Sequence, residues 1–201
     1  MVSPFVWGSF AAVGKSDTHN EHLSGRWYSH SALDYHIRKH LMHGISFGNI
    51  NGMASQLLSA APAGYIEAFQ RNMLYFRQYR HLLLEDVYHP KLSAAPGWSA
   101  IQYVTGDAAE SVVFVFRDQS EKAQSKVYLR GIDASAKYSV SSLNQQPGYE
   151  RVIASSVLMK DGLSVTLPSE WLAKGDGLPP GADFLDQLKY GSDVLMLKRV
   201  Q

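Results

Sequence analysis

The chain has 201 residues, of which 45% are hydrophobic and 18% charged, and its 19 Lys/Arg against 18 Asp/Glu leave a formal net charge of +1. That suffices to bury a core in one or two domains, and it offers no charge excess for gripping nucleic acid or an acidic membrane surface. The lack of cysteine excludes disulfides, zinc-thiolate sites and a thiol nucleophile; it is compatible with a reducing cytosol without proving one, so the compartment stays open, with the cytoplasm slightly favoured.

The first apolar stretch, residues 5–13, is preceded by no basic residue and interrupted by Gly8 and Ser9, so a buried strand is expected there rather than a signal peptide. No later stretch reaches the roughly 18 to 20 apolar residues needed to span a membrane. Residues 14–30 hold two Gly, three His and both signs of charge, which is loop chemistry. Ser31 can cap a helix over residues 32–43, and Gly44 can end it before the apolar run 45–50. Residues 49–61 are rich in Asn, Gly, Ser and Ala. Pro62 then stands where a helix can start, and Ile66, Phe69, Met73, Phe76 and Leu83 recur at the three-and-four spacing of one helix face as far as about residue 85.

Two β/α units are thus expected. They cannot close a barrel, because an eight-stranded β/α barrel needs roughly 200 residues or more. This half reads as the tail end of something larger.

All eight histidines, at positions 19, 22, 30, 36, 40, 43, 81 and 89, precede Pro90, so any chemistry is expected in the first half. His36 and His40 are four apart on the expected helix, with His43 close to the same face. No Glu follows His36, however, and Arg38 and Lys39 would oppose a bound cation. No metal is assigned, and a partly buried, hydrogen-bonded histidine face is expected instead.

After Pro96 the period changes to two, with turn-bounded strands expected at 99–105, 111–117, 125–130, 137–140, 151–154, 163–167 and 193–200. Val113, Val115 and Arg117 alternate with Val112, Phe114 and Phe116, so that strand should be central and buried on both faces, whereas Lys126, Tyr128 and Arg130 oppose Val127 and Leu129 as in a half-exposed strand. Residues 175–181, with Pro179 and Pro180, should form a long loop. The expected fold class is α+β, with β/α units followed by an antiparallel β-sandwich.

Several runs carry a family resemblance. The segment YFRQYRHLLLEDVYHP at 75–90, PGWSAIQY at 96–103 and SVVFVFR at 111–117 resemble the end of the catalytic barrel and the start of the C-terminal β-domain in melibiase-type α-galactosidases of glycoside hydrolase family 36. LRGIDASAKY at 129–138 resembles that family's L-x-G-L-D-x-x-x-x-Y element. SSVLMKDGL at 155–163 resembles its S-G-x-x-L-M-x-x-G-L element, with Ser156 where Gly is usual.

The resemblance implies that residues 1–90 are the last β/α units of a (β/α)8 barrel and that residues 91–201 are the β-sandwich domain. It also implies a retaining glycoside hydrolase that acts on α-galactosides or related α-glycosides without a cofactor. The family's Ser-Asp-x-x-Asp loop falls on Ser16 and Asp17 with Asn20 at the second acidic position, which makes Asp17 the candidate general acid/base. Its Pro-Asn-His-type loop falls on residues 47–53, where this chain has FGNINGM.

Retaining glycosidases need two carboxylates about 5 to 5.5 Å apart. The family's Lys-Trp-Asp nucleophile motif does not occur in these 201 residues. Glu21 and Asp34 are the alternative sources of a second carboxyl, the one on a loop and the other on a helix. The chain alone is therefore expected to be inactive and to need the missing N-terminal barrel portion as its partner.

For the sugar itself, Arg26 and Trp27 follow polar loop residues and are ligand candidates, since an apolar sugar face packs on an indole. Tyr28 is close by, Trp7 reads as core, and Asn20, Asn49 and Asn51 could bond sugar hydroxyls. The alternative is a non-catalytic carbohydrate-binding or interaction module.

Overall fold

The computed structural model describes residues 30–43, 65–118, 120–144, 150–167 and 191–200. The expected strand at 5–13, the apolar run at 45–50 and the loop at 175–181 lie outside the described residues.

The alternating segment predicted to be central is so. Strand β4 (Glu110–Arg117) lies between β3 (Trp98–Val104) and β9 (Gly191–Val200), with Phe114 opposite Ile101 on one side and Val194 on the other. Together with β1 (Asp86–Tyr88), β6 (Lys137–Ser142) and β7 (Glu150–Ala154) they form a six-stranded sheet of order β1-β3-β4-β9-β6-β7. A smaller sheet has the order β2-β5-β8, from β2 (Lys91–Leu92), β5 (Gln124–Tyr128) and β8 (Leu163–Thr166). All these pairings are antiparallel.

The side-chain period of two sorts β4 into two cores. Val113 and Val115 pack with Val127, Leu129, Leu163 and Val165 between the sheets. Val112, Phe114 and Phe116 pack on the other face with Tyr35, Ile37, Leu41, Ala68, Phe76 and Tyr79. Those last residues come from two helices, α1 (His30–Leu41) and α2 (Tyr65–Tyr79). The result is three layers: helices, large sheet, small sheet.

Helix α2 buries a different row from the one its sequence suggested. Ala68, Asn72, Phe76 and Tyr79 are buried, and Leu82 follows on the 3-10 turn Arg80–Leu84, whereas Phe69 is 37% exposed and Met73 and Leu83 are half-buried. The apolar stripe therefore straddles the edge of the contact. The helix turns a small and a polar residue toward α1, where Asn72 bonds Asp34 and Arg38.

Strands β1 and β2 were not anticipated. At three and two residues they are too short for a period to register, and they flank Pro90, so the large sheet already begins at Asp86.

Two glycines explain the late sequence motifs. Gly131 has φ +67°, and a Cβ there would fall 2.4 Å from a ring carbon of Tyr88. Gly162 has φ +76° and closes a single π turn, Val157–Asp161, that places Leu158 in the inter-sheet core. Only a residue without Cβ takes such backbone cheaply.

Candidate functional site

The sequence candidates Asp17, Asn20, Arg26, Trp27, Asn49 and Asn51 lie outside the described residues, as do Trp7, Glu21 and Tyr28. Among the described residues, the densest polar cluster sits where the helices meet the large sheet, and its centre is Arg38.

Helix periodicity places Asp34 and Arg38 on one face of α1, a turn apart, beside the buried Tyr35 and Leu41. Arg38 is 1% exposed. Its Nε donates to Asn72 Oδ1 on α2 at 2.9 Å. Its Nη1 donates to Asn144 Oδ1 at 2.7 Å and to the Ser192 carbonyl at 2.8 Å, so one guanidinium joins two helices to the turn after β6 and to β9. Its Nη2 stands 3.7 Å from Asp34.

Each partner is itself fixed. Asn72 Nδ2 donates to Asp34 Oδ1 at 2.6 Å and to the Ala68 carbonyl at 2.8 Å, and Arg71 donates to the same Asp34 oxygen at 2.8 Å. Asn144 Nδ2 donates to the Ser192 carbonyl at 2.7 Å. Asp193 accepts the Ser142 hydroxyl at 2.6 Å, the Val194 amide at 2.7 Å and the Asn144 amide at 3.3 Å, and so braces the turn that carries Asn144.

Burial pushes the Asp193 carboxyl above its ordinary value, against the opposing pull of Ser142, Arg38 and the two backbone amides. Nearby, burial lowers Lys39, whose ammonium lies 4.6 Å from the Tyr35 ring centroid and 3.9 Å from Asp118. Burial also raises the Tyr103 phenol to about 12, and that hydroxyl donates to the Met42 carbonyl at 2.7 Å. His43 is lowered by burial, and its Nδ1 is enclosed with no hydrogen-bond partner among the described residues.

This arrangement holds the Arg38 charge between the two helices and the large sheet. Asp34, one of the two alternative sources of a second carboxyl, is taken up by Arg71, Asn72 and Arg38. Among the described residues no group of three or more His, Asp or Glu could hold a metal ion, and no helix is long and apolar enough to cross a membrane. The sequence reading treated Arg38 only as a cation that opposes metal binding. The signal for its role was present: an arginine within the apolar face of α1, a turn after Asp34, and an asparagine interrupting the Ala68-to-Phe76 row of α2.

Residues 98–196, from the start of β3 into β9, match the glycosyl hydrolase family 36 C-terminal domain. The β-domain belongs to family 36. Among solved structures, the family 36 α-galactosidase AgaA from Geobacillus stearothermophilus is similar at 17% identity and a TM-score of 0.52, over 72% of this chain and 17% of that one. A double variant of AgaA crystallised with raffinose gives 16% identity and a TM-score of 0.51, over 71% and 17%. At these identities the likeness is one of fold, and the chain spans about a sixth of the length of those enzymes. No curated protein sequence matches the chain.

Proposed function

We propose that the chain is the C-terminal portion of a retaining glycoside hydrolase that acts on α-galactosides or related α-glycosides. Residues 1–90 carry the last β/α units of its (β/α)8 catalytic barrel and end on β1, the edge strand of the large sheet, and residues 91–201 supply the rest of the sandwich that backs them. The observation that carries this reading is the family 36 match across β3 to β9. It is supported by the seating of α1 and α2 on the free face of the large sheet, as helices at the end of a barrel would sit.

On this reading Asp17 protonates the leaving oxygen and later activates water, while the nucleophilic carboxylate comes from the remainder of the barrel. Asn20, Arg26, Trp27, Asn49 and Asn51 contact the sugar. The chain alone lacks one of its two carboxylates and does not turn over substrate.

An aryl α-galactoside assay tests the proposal. The isolated chain should match a blank. The same chain supplied with an upstream barrel that carries the nucleophile should be active, and Asp17→Asn should then lower kcat by about 10² to 10⁴. Turnover by the isolated chain, or an extended enzyme indifferent to Asp17→Asn, would overturn it.

A further inference from the structure

We propose that the acceptors around Arg38 form a guanidinium-selective socket, and that this socket is the latch holding the helical layer on the β-domain. The inference rests on geometry alone and does not depend on the glycosidase reading.

Three observations carry it. First, the bonds to Arg38 are shared between layers: Asn72 on the helical side, Asn144 and the Ser192 carbonyl on the sheet side, with Asp34 facing Nη2. A planar fork with five donors satisfies partners in these directions, whereas an ammonium is a point charge and cannot.

Second, the sheet side is built independently of the helices. Asn144 is tied to the Ser192 carbonyl through its own amide, and its backbone is tied to Asp193, which Ser142 and Val194 also hold. The socket half on the β-domain is thus preorganised for a guanidinium before a helix arrives.

Third, the rest of the contact is mainly apolar, Tyr35, Ile37, Leu41, Ala68, Phe76 and Tyr79 lying on Tyr103, Val112, Phe114, Phe116 and Val194. Its other polar contacts, Tyr103 to the Met42 carbonyl and Tyr35 and Lys39 to Asp118, each reach α1 or the turn after it and none reaches α2. Arg38 alone among these polar contacts ties both helices to the sheet at once, so its buried cluster fixes the register of the helical layer, as a buried asparagine does in a coiled coil. The helical layer should accordingly open as a unit, separately from the two sheets.

Hydrogen exchange on the full chain, read peptide by peptide, tests this. Asn144 is an exposed turn residue, so Asn144→Ala leaves the strands intact. It should speed exchange in α1 and α2 by about tenfold while β4 and β9 keep their protection. Unchanged helices, or helices and strands loosened equally, would overturn the latch. In Arg38→Ala the helices should lose more protection. Sub-denaturing guanidinium chloride should restore part of it, where sodium chloride at equal ionic strength does not, and Arg38→Lys should stay unrestored. Equal response to the two salts, or full protection with lysine, would overturn the selectivity. Should Arg38→Ala fail to fold, the Asn144→Ala comparison decides the latch, and the helix protection of Arg38→Lys decides the selectivity: loss relative to wild type supports it, and wild-type protection overturns it.

Discussion

Tyr79 and Phe114 meet edge to face, their ring centroids 5.3 Å apart and their planes at 87°, and this contact joins the last turn of α2 to the middle of the central strand. Phe114 is fully buried, whereas Phe69, ten residues before Tyr79 on the same helix, is 37% exposed. Phe114→Ala should therefore cost about 3 to 5 kcal/mol, because the cavity opens in the centre of a packed layer, while Phe69→Ala should cost about 1 kcal/mol. Urea midpoints for the two variants check this, and equal losses would restore Phe69 to the core that the sequence spacing suggested.

Why one aromatic was read correctly and the other was not is physical. In β4 the side-chain period is two, and strands with apolar residues at every position have little choice but to be covered on both faces; the reading of Val112 to Phe116 followed from that alone. In α2 the apolar residues are spread over more than one face, and the choice between the Phe69 row and the Ala68 row depends on where α1 lies, which a local pattern does not contain. Arg38 was missed for a related reason. A buried arginine is rare enough that composition argues against it, and apart from Asp34 its partners Asn72, Asn144 and Ser192 are 34, 106 and 154 residues away in sequence. The glycines at 131 and 162 stood within recognisable motifs, but only the positive φ angles explain them. The catalytic candidate Asp17 rests on the resemblance and the sugar-binding candidates up to Asn51 largely on residue chemistry; all lie outside the described residues and stand as proposals.

Gly131 carries the next expectation. Its φ of +67° disfavours a side chain, and a Cβ would press on the Tyr88 ring at 2.4 to 2.5 Å. Gly131→Ala should cost about 1 to 3 kcal/mol, and Tyr88→Ala in the same chain should relieve the steric part while leaving the backbone part. Thermal unfolding of the two single variants and the double variant separates the parts. Strict additivity would mean that ring and Cβ do not meet.

The stability of the fold should respond to Asp193 with a definite sign. Its folded value is raised above the unfolded 3.8, mainly by burial, so the folded chain binds the extra proton. The stability this group contributes is then fully present below 3.8 and is lost as pH rises through the folded value. Geometry permits both states, since the two amides bond Oδ1 and the Ser142 hydroxyl at Oδ2 can turn from donor to acceptor. Wild type should gain on Asp193→Asn as pH falls from about 7 toward 4, as read by urea midpoints. Asp107, which the Thr105 hydroxyl and the Ala109 amide hold below its ordinary value, acts oppositely, so the comparison must be made against a variant that keeps Asp107. A wild-type advantage that shrinks in acid would reverse the assignment.

The sandwich itself should bind no polysaccharide. Sugar-binding surfaces present aromatic faces to solvent, and among the described residues of the β-domain every aromatic is buried or half-buried. Trp98 donates its indole N–H to the Lys122 carbonyl at 2.9 Å, and Tyr128 is half-covered, with the Lys91 ammonium 5.9 Å from its ring centroid. Tyr138 is fully buried, donating to the Ala108 carbonyl and accepting from the Asp133 amide, so it holds a turn in place and cannot stack on a ligand. Affinity electrophoresis of the full chain in gels containing galactomannan should show no retardation, and Tyr128→Ala should migrate as wild type does. Tyr138→Phe, which strands two backbone groups, should lower stability by about 1 to 2 kcal/mol without altering migration. Clear retardation that Tyr128→Ala abolishes would replace the supporting role proposed for this domain with that of a carbohydrate-binding module.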